Sequence, residues 1–224
     1  MPFRIASICV SLKHPALVIA LTAGLSSTAI GFFASAGTDT PRFENAPARV
    51  ATAVFAGGCM SCIEAEFDKV PGVIETLAGY TGGTAEDPSA RQVERGGTGH
   101  YEAVKVTYNP SKVSYSDLAA YFVRQIDPTD AGGQFCDQGE AHRSAIFVSG
   151  QGERDTAEKV LTTAGRTLGQ DVATEILPTA TFWPAEASRQ DYARRYAEKY
   201  EATREACGRD AGLKALWGPA GTNS

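Results

Sequence analysis

The hydrophobic pattern divides the chain into one uncharged apolar stretch near the N-terminus and a series of short periodic blocks after residue 48. The first block, 49–57, is a run of Val, Ala and Phe that closes on Gly57-Gly58 and predicts a strand. Ile63, Phe67 and Val70 then recur at helical spacing, predicting a helix over 61–70 that Pro71-Gly72 ends. Residues 73–80 predict a second strand, closed by Thr81-Gly82-Gly83, and 84–99 a polar loop of a length that usually has a function. Alternation over 101–108 predicts a third strand, stopped by Asn109-Pro110. Leu118, Tyr121, Phe122 and Val123 define the inner face of a helix over 116–126, with Ser114 or Ser116 as its cap. A Gly- and Asp-rich loop over 127–143 leads to a short buried strand, 144–149. A helix over 151–169 follows, built around Ala157, Val160, Leu161, Ala164 and Leu168, and then a last strand, 172–177. Beyond Pro178 the pattern predicts a charged helix over 186–203, with Tyr192, Tyr196 and Tyr200 packed as one stripe. A tail containing Cys207 completes the chain.

The predicted order is β-α-β-β-α-β, then α-β and a C-terminal helix. The first six elements match a split-βαβ unit, so the expected class is α+β: a ferredoxin-like two-layer sandwich with additional helices and a C-terminal tail. The expected organisation is a signal peptide over 1–36, a linker over 37–48, a main folded domain over 49–203 and a tail over 204–224.

The uncharged stretch changes the picture of where the protein works. Arg4 and Lys13 precede or border it, residues 16–33 carry no charge, and Ala34-Ser35-Ala36 fits a small-x-small cleavage site before Gly37. Gly24, Ser26, Ser27 and Thr28 dilute its hydrophobicity, which favours a cleaved signal over an uncleaved membrane anchor. Either outcome places the body outside the cytoplasm, in the periplasm. Of the 224 residues 43% are hydrophobic and 21% charged, enough for one sizeable core, and the formal net charge is -5. An acidic body without a Lys/Arg cluster excludes nucleic acid and anionic membrane as main partners.

Five cysteines are present, and Cys9 would leave with the signal. An exported chain retaining Cys59, Cys62, Cys136 and Cys207 allows two structural disulfides. Cys59 and Cys62, however, stand one helical turn apart and suit exchange better than stapling. Cys59 falls where the first helix begins, so its sulfur feels unpaired N–H groups and the positive end of the helix dipole. That favours thiolate. Cys62 lies on the same face, so one sulfur can attack and the other resolve.

Several runs now align with a known pattern. Gly58-Cys59 with Glu64 and Phe67 comes first, followed by Pro71-Gly72-Val73 and Gly79-Tyr80-Thr81-Gly82-Gly83. Gly97-Thr98-Gly99-His100-Tyr101-Glu102-Ala103-Val104, Tyr108-Asn109-Pro110, Asp127-Pro128-Thr129-Asp130 and Arg143-Ser144-Ala145-Ile146-Phe147 complete the series. Together, over about 49–200, the chain resembles the methionine sulfoxide reductase A family. Cys207-Gly208-Arg209-Asp210 and Leu213-Lys214-Ala215-Leu216-Trp217-Gly218 resemble members whose resolving cysteine is C-terminal.

The resemblance implies that Cys59 attacks the sulfoxide sulfur of an oxidised methionine, preferring the S epimer. Glu102 would be the acid that protonates the departing oxygen, and Asp137 a second polar residue of the pocket. Cys62 or Cys207 would condense with the Cys59 sulfenic acid, and a thioredoxin-like protein or dithiol would restore the thiols, with no bound cofactor or metal. The implied partners are oxidised proteins and peptides, with the enzyme acting as a monomer. The sequence also departs from the family: Met60 and Ser61 replace the usual Phe-Trp wall, and the usual pocket tyrosines fall at Ala90 and His142. Losing one aromatic wall costs on the order of 1–3 kcal/mol of substrate binding. His142 could replace a tyrosine as donor.

Other readings compete. General thiol–disulfide exchange would use Cys59 and Cys62 without a methyl pocket and without an acid at Glu102. A non-catalytic binding scaffold is the third reading, against which the placed thiols argue. A zinc site needs a second close pair that Cys136, Cys207, His100 and His142 are not expected to supply. Cys136 reads equally as a buried small residue or a redox partner. Gly96-Gly97-Thr98-Gly99 precedes a strand rather than a helix, so it fails the context for a phosphate cradle.

Overall fold

The computed structural model describes residues 49–218; the predicted signal peptide and linker lie outside them. Strand β1 (Ala51–Gly57) leads through Gly58 and Cys59 into α1 (Met60–Phe67), which returns to β2 (Val73–Thr81). A short α2 (Ala90–Glu94) precedes β3 (Tyr101–Tyr108), and α3 (Tyr115–Arg124) follows. The two-residue strands β4 (Gly133–Gln134) and β5 (Asp137–Gln138) form a hairpin, followed by a 3₁₀ turn, Glu140–His142. Next come β6 (Ser144–Val148), α4 (Gln151–Leu168), β7 (Glu175–Pro178) and β8 (Trp183–Pro184). Three helices close the chain: α5 (Tyr192–Arg195), α6 (Ala197–Cys207) and α7 (Arg209–Trp217).

The six-stranded sheet has the order β7-β6-β1-β3-β2-β8. Its four inner strands are antiparallel to one another, with the split-βαβ order predicted from the chain. Strand β7 adds in parallel to β6, and β8 adds antiparallel to β2. Phe55 locks the helices to one face: its ring stacks on Phe67 of α1 at 5.1 Å and on Phe122 of α3 at 4.9 Å. It is fully buried, a contribution of about 2–3 kcal/mol. A smaller cluster, Ala56, Tyr101, Ala103, Ala145 and Phe147, occupies the opposite face. Gln190 helps hold the 183–190 segment to the edge of the sheet by exchanging hydrogen bonds with both backbone groups of Ala78.

Helix α3 starts at Ser114, whose Oγ accepts from the Asp117 N–H at 3.1 Å while Asp117 accepts in return from the Ser114 N–H. Four expectations need correction. The predicted 84–99 loop contains α2, and the 127–143 loop contains the β4–β5 hairpin. The predicted helix over 186–203 is broken at Tyr196, where φ is −132° and ψ is 49°. The three tyrosines therefore form no single stripe: Tyr200 is buried, whereas Tyr196 is exposed. Finally, the tail is part of the body. The 203/204 boundary falls inside α6, and Arg204 pairs with buried Glu66 of α1 at 3.1 Å. Trp217 is buried and donates its indole N–H to the Ile126 carbonyl at 3.0 Å.

Candidate active site

The site is built where β1 turns into α1. Gly58 has φ +78°, and a Cβ there would lie 2.6 Å from the Gln134 Cβ, so only glycine lets the turn pass this close to β4. Gln134 is fully buried and braces the turn's other wall: its carboxamide accepts from the Asp127 N–H and donates to the Asp127 carbonyl, both at 2.7 Å. Cys59 is the N-cap of α1, and its Sγ accepts from the Cys62 N–H at 3.1 Å. The expected helix-end environment for this sulfur is therefore present. Cys59 and Cys62 are joined in a disulfide, their Cα atoms 5.2 Å apart.

Glu102 stands on β3, opposite Tyr80 in the strand register. Its Oε2 accepts from the Met60 N–H at 3.3 Å, which brings the carboxyl to the same helical turn as Cys59. Burial pushes its pKa up; nearby His142, the Met60 N–H and Arg189 oppose that rise, and Asp137 reinforces it. His142 and Asp137 thus both act electrostatically on Glu102. The His142 Nδ1 is buried without a hydrogen-bond partner. Met60 and Ser61 diverge. The Met60 side chain is buried in the main core, while Ser61 borders a groove of about 480 Å³ together with Ser188, Arg189, Tyr192, Tyr196 and Lys199. A larger depression, about 900 Å³ between α4 and β7, includes none of these site residues.

The remaining cysteines depart from expectation. Cys207, proposed from the sequence as a resolving residue, is bonded to Cys136, and Cys136 is exposed rather than a buried small residue. This overturns the expectation that Cys136 and Cys207 supply no close pair. With Asp137 they instead form a compact cluster, because the β4–β5 turn meets the end of α6.

Two residues quoted only for the resemblance turn out to support the site. Arg209, on the first turn of α7, is 1% exposed and donates to the Gly57 carbonyl at 3.3 Å and the Gln125 carbonyl at 2.7 Å. Its guanidinium lies over the Phe135 ring at 5.0 Å. Burial, with repulsion from Arg204, pulls its pKa down to about 10, against the attraction of Asp137. It clamps the strand end that carries Cys59. In the sequence it stands only as part of the run Cys207-Gly208-Arg209-Asp210, within a segment that reads as a tail. Glu64, on α1, is buried, and burial raises its pKa to about 7 although the Asp191 and Tyr192 N–H groups favour its charge. It joins the catalytic helix to α5.

A sulfur on a helix N-cap, a second sulfur one turn later and a buried acid hydrogen-bonded to that turn define a thiol-based oxidoreductase. Comparison with known proteins makes the class specific. The profile of the peptide methionine sulfoxide reductase family matches residues 51–220. Peptide methionine sulfoxide reductase MsrA 2 of Caulobacter vibrioides is 49% identical over 168 residues, spanning 75% of this chain and 85% of that protein. The MsrA of Halalkalibacterium halodurans is 42% identical over 173 residues, 76% of this chain and 98% of that protein. Among solved structures, methionine sulfoxide reductase A of Corynebacterium diphtheriae superposes with a TM-score of 0.61 at 29% identity, covering 68% of this chain and 77% of that one. Reduced Mxr1 of Saccharomyces cerevisiae gives 0.64 at 26% identity, covering 68% and 88%. The chain belongs to the peptide methionine sulfoxide reductase family. It is an oxidoreductase that returns methionine sulfoxide to methionine through redox-active cysteines.

Proposed function

We propose that this chain is an exported, monomeric reductase of methionine S-sulfoxide in proteins and peptides, recycled by a thioredoxin-like dithiol protein in the periplasm. The observation that carries the catalytic part is the hydrogen bond from the Met60 N–H to Glu102. It supports Glu102 as the proton donor, since its carboxyl is hydrogen-bonded to the helical turn that Cys59 caps.

In this reading the Cys59 thiolate attacks the sulfoxide sulfur, and Glu102 delivers a proton to the sulfoxide oxygen. The S–S bond to Cys59 forms as the protonated oxygen leaves the substrate sulfur; that hydroxide, or a water in its place, then bonds to the Cys59 sulfur, the S–S bond breaks, methionine leaves reduced by two electrons and Cys59 remains as sulfenic acid. Cys62 then attacks the Cys59 sulfur, and the hydroxyl departs as water with one further proton. The product is the Cys59–Cys62 disulfide found in the structure. An external dithiol reduces it by two electrons. Cys207 can serve as a second resolver only after its bond to Cys136 is reduced. Export rests on Arg4, Lys13, the uncharged stretch and Ala34-Ser35-Ala36.

The test is single-turnover reduction of S- and R-methionine sulfoxide in a blocked peptide by pre-reduced protein without added reductant. About one equivalent of the S form should be converted, with Cys59 ending in a disulfide with Cys62. Cys59→Ser should abolish conversion. Continued turnover in that variant, or no conversion by a wild-type protein that still exchanges with a test disulfide, would overturn the assignment in favour of simple thiol exchange.

A further inference from the structure

We propose that the groove beside Ser61 is a substrate subsite that holds the residue next to the oxidised methionine and favours an acidic side chain there. This rests on the reductase reading and extends it from the sulfoxide to its flanking sequence.

Two observations tie the groove to the reacting centre. Ser61 forms part of its wall and follows Met60, whose N–H meets Glu102. Arg189 forms another part, and its positive charge acts on Glu102. A methionine sulfoxide seated between Cys59 and Glu102 would therefore send its neighbouring residue along this groove. At about 480 Å³ the space is within the range of small-ligand pockets and larger than a sulfoxide methyl needs.

The lining sets the chemistry. Tyr192 and Tyr196 lie with ring centroids 5.0 Å apart and planes inclined by 48°, and Tyr196 is 42% exposed. Both tyrosines line the groove beside the small Ser61. Arg189 shares its charge with Glu94 and Glu186. Lys199 sits over the Tyr192 ring at 6.0 Å and has no ion pair among the described residues. Its charge is left for a ligand. An aromatic floor with one uncompensated ammonium suits an aspartate or glutamate, whose methylene groups pack on the rings while the carboxylate meets the lysine.

The experiment compares kcat/KM, with a small dithiol as reductant, for blocked peptides carrying the sulfoxide next to Asp, Asn or Lys on either side. Blocked methionine sulfoxide alone is the reference. At low salt the Asp peptide should exceed the Lys peptide by about two- to fivefold, as expected of one partly exposed ion pair. The ratio should shrink at high salt, and Lys199→Glu should invert it. Equal values for the three peptides, or an unchanged ratio in Lys199→Glu, would overturn the subsite while leaving the reductase intact. Failure to reduce any of the substrates, the reference included, would bring down the reductase reading and the subsite with it.

Discussion

Replacing Glu102 by Gln separates its chemistry from its structural role. Gln keeps the side-chain volume and an oxygen that can still accept from the Met60 N–H, now 3.3 Å from the Glu102 carboxylate. It also removes a carboxylate that burial keeps reluctant to ionise. Glu102→Gln should therefore fold with a stability within about 1 kcal/mol of wild type. What it loses is the proton. General-acid contributions run to about 10²–10⁴-fold, equivalent to roughly 3–5 kcal/mol of barrier.

The pH profile makes the prediction sharper. An acid catalyst works only while protonated, and burial raises the Glu102 pKa above the ordinary carboxyl value of 4.5. The wild-type rate should rise with pH as the Cys59 thiolate forms, then fall as Glu102 ionises. Glu102→Gln should lose the fall and keep the rise. The assay is quenched-flow single turnover of a sulfoxide peptide by pre-reduced protein from pH 5 to 9, with thermal melts as the folding control. A variant within about threefold of wild type that retains the alkaline fall would show that another group supplies the proton.

Four other substitutions test different links. Cys62→Ser should spare the first turnover and leave Cys59 trappable as sulfenic acid, while multiple turnover collapses; undiminished cycling would remove Cys62 as resolver. Cys207→Ser should keep cycling, since its sulfur is held by Cys136; loss of steady-state reduction alone would reassign resolution to Cys207. Glu64→Gln should alter the pH dependence of stability. The folded-state pKa of Glu64 is raised from 4.5 to about 7, so its protonation favours the fold and stability drains away between those values as pH rises. Urea midpoints should fall across that window in wild type and fall less in the variant; parallel curves would refute the assignment. Trp217→Ala should cost about 3–5 kcal/mol, because a buried indole and its hydrogen bond to Ile126 both go. A change below about 1 kcal/mol by urea denaturation would mean that α7 is not part of the cooperative unit.

The sheet was legible because each inner strand carries its own apolar block with a turn signal, as with Gly57-Gly58 and Asn109-Pro110. The Cys59–Glu102 pairing was legible only through the family resemblance, since a lone strand glutamate carries no local mark. What stayed hidden depends on contacts across long separations. Tyr192, Tyr196 and Tyr200 have helical spacing, and the break at Tyr196 that divides them leaves no Pro or Gly as a signal. The α2 helix lay unseen in a polar loop because it is short and ties itself to Glu186 through the Ala90 N–H at 2.9 Å. Cys136 and Cys207 are 71 residues apart, and no local pattern could pair them.

The last two helices then acquire a role that their charged sequence does not suggest. Arg204 fastens α6 to Glu66 of α1, the helix that carries Cys62. The Cys136–Cys207 bond fastens the end of α6 to the hairpin that carries Asp137. Arg209, on the next turn, holds the Gly57 carbonyl just before the nucleophile's turn. Three separate supports of the site, its helix, its hairpin and its strand end, thus converge on a short stretch of six residues, from Arg204 to Arg209. A guanidinium buried without a direct carboxylate partner is costly, and Arg209 is kept charged by carbonyls, a ring and the field of Asp137. That cost is understandable if the arginine must position the turn. One guanidinium nitrogen, Nη2, donates to both the Gly57 and the Gln125 carbonyls and so ties the end of β1 to the end of α3 just before Cys59, which makes the C-terminal segment a structural support of the site.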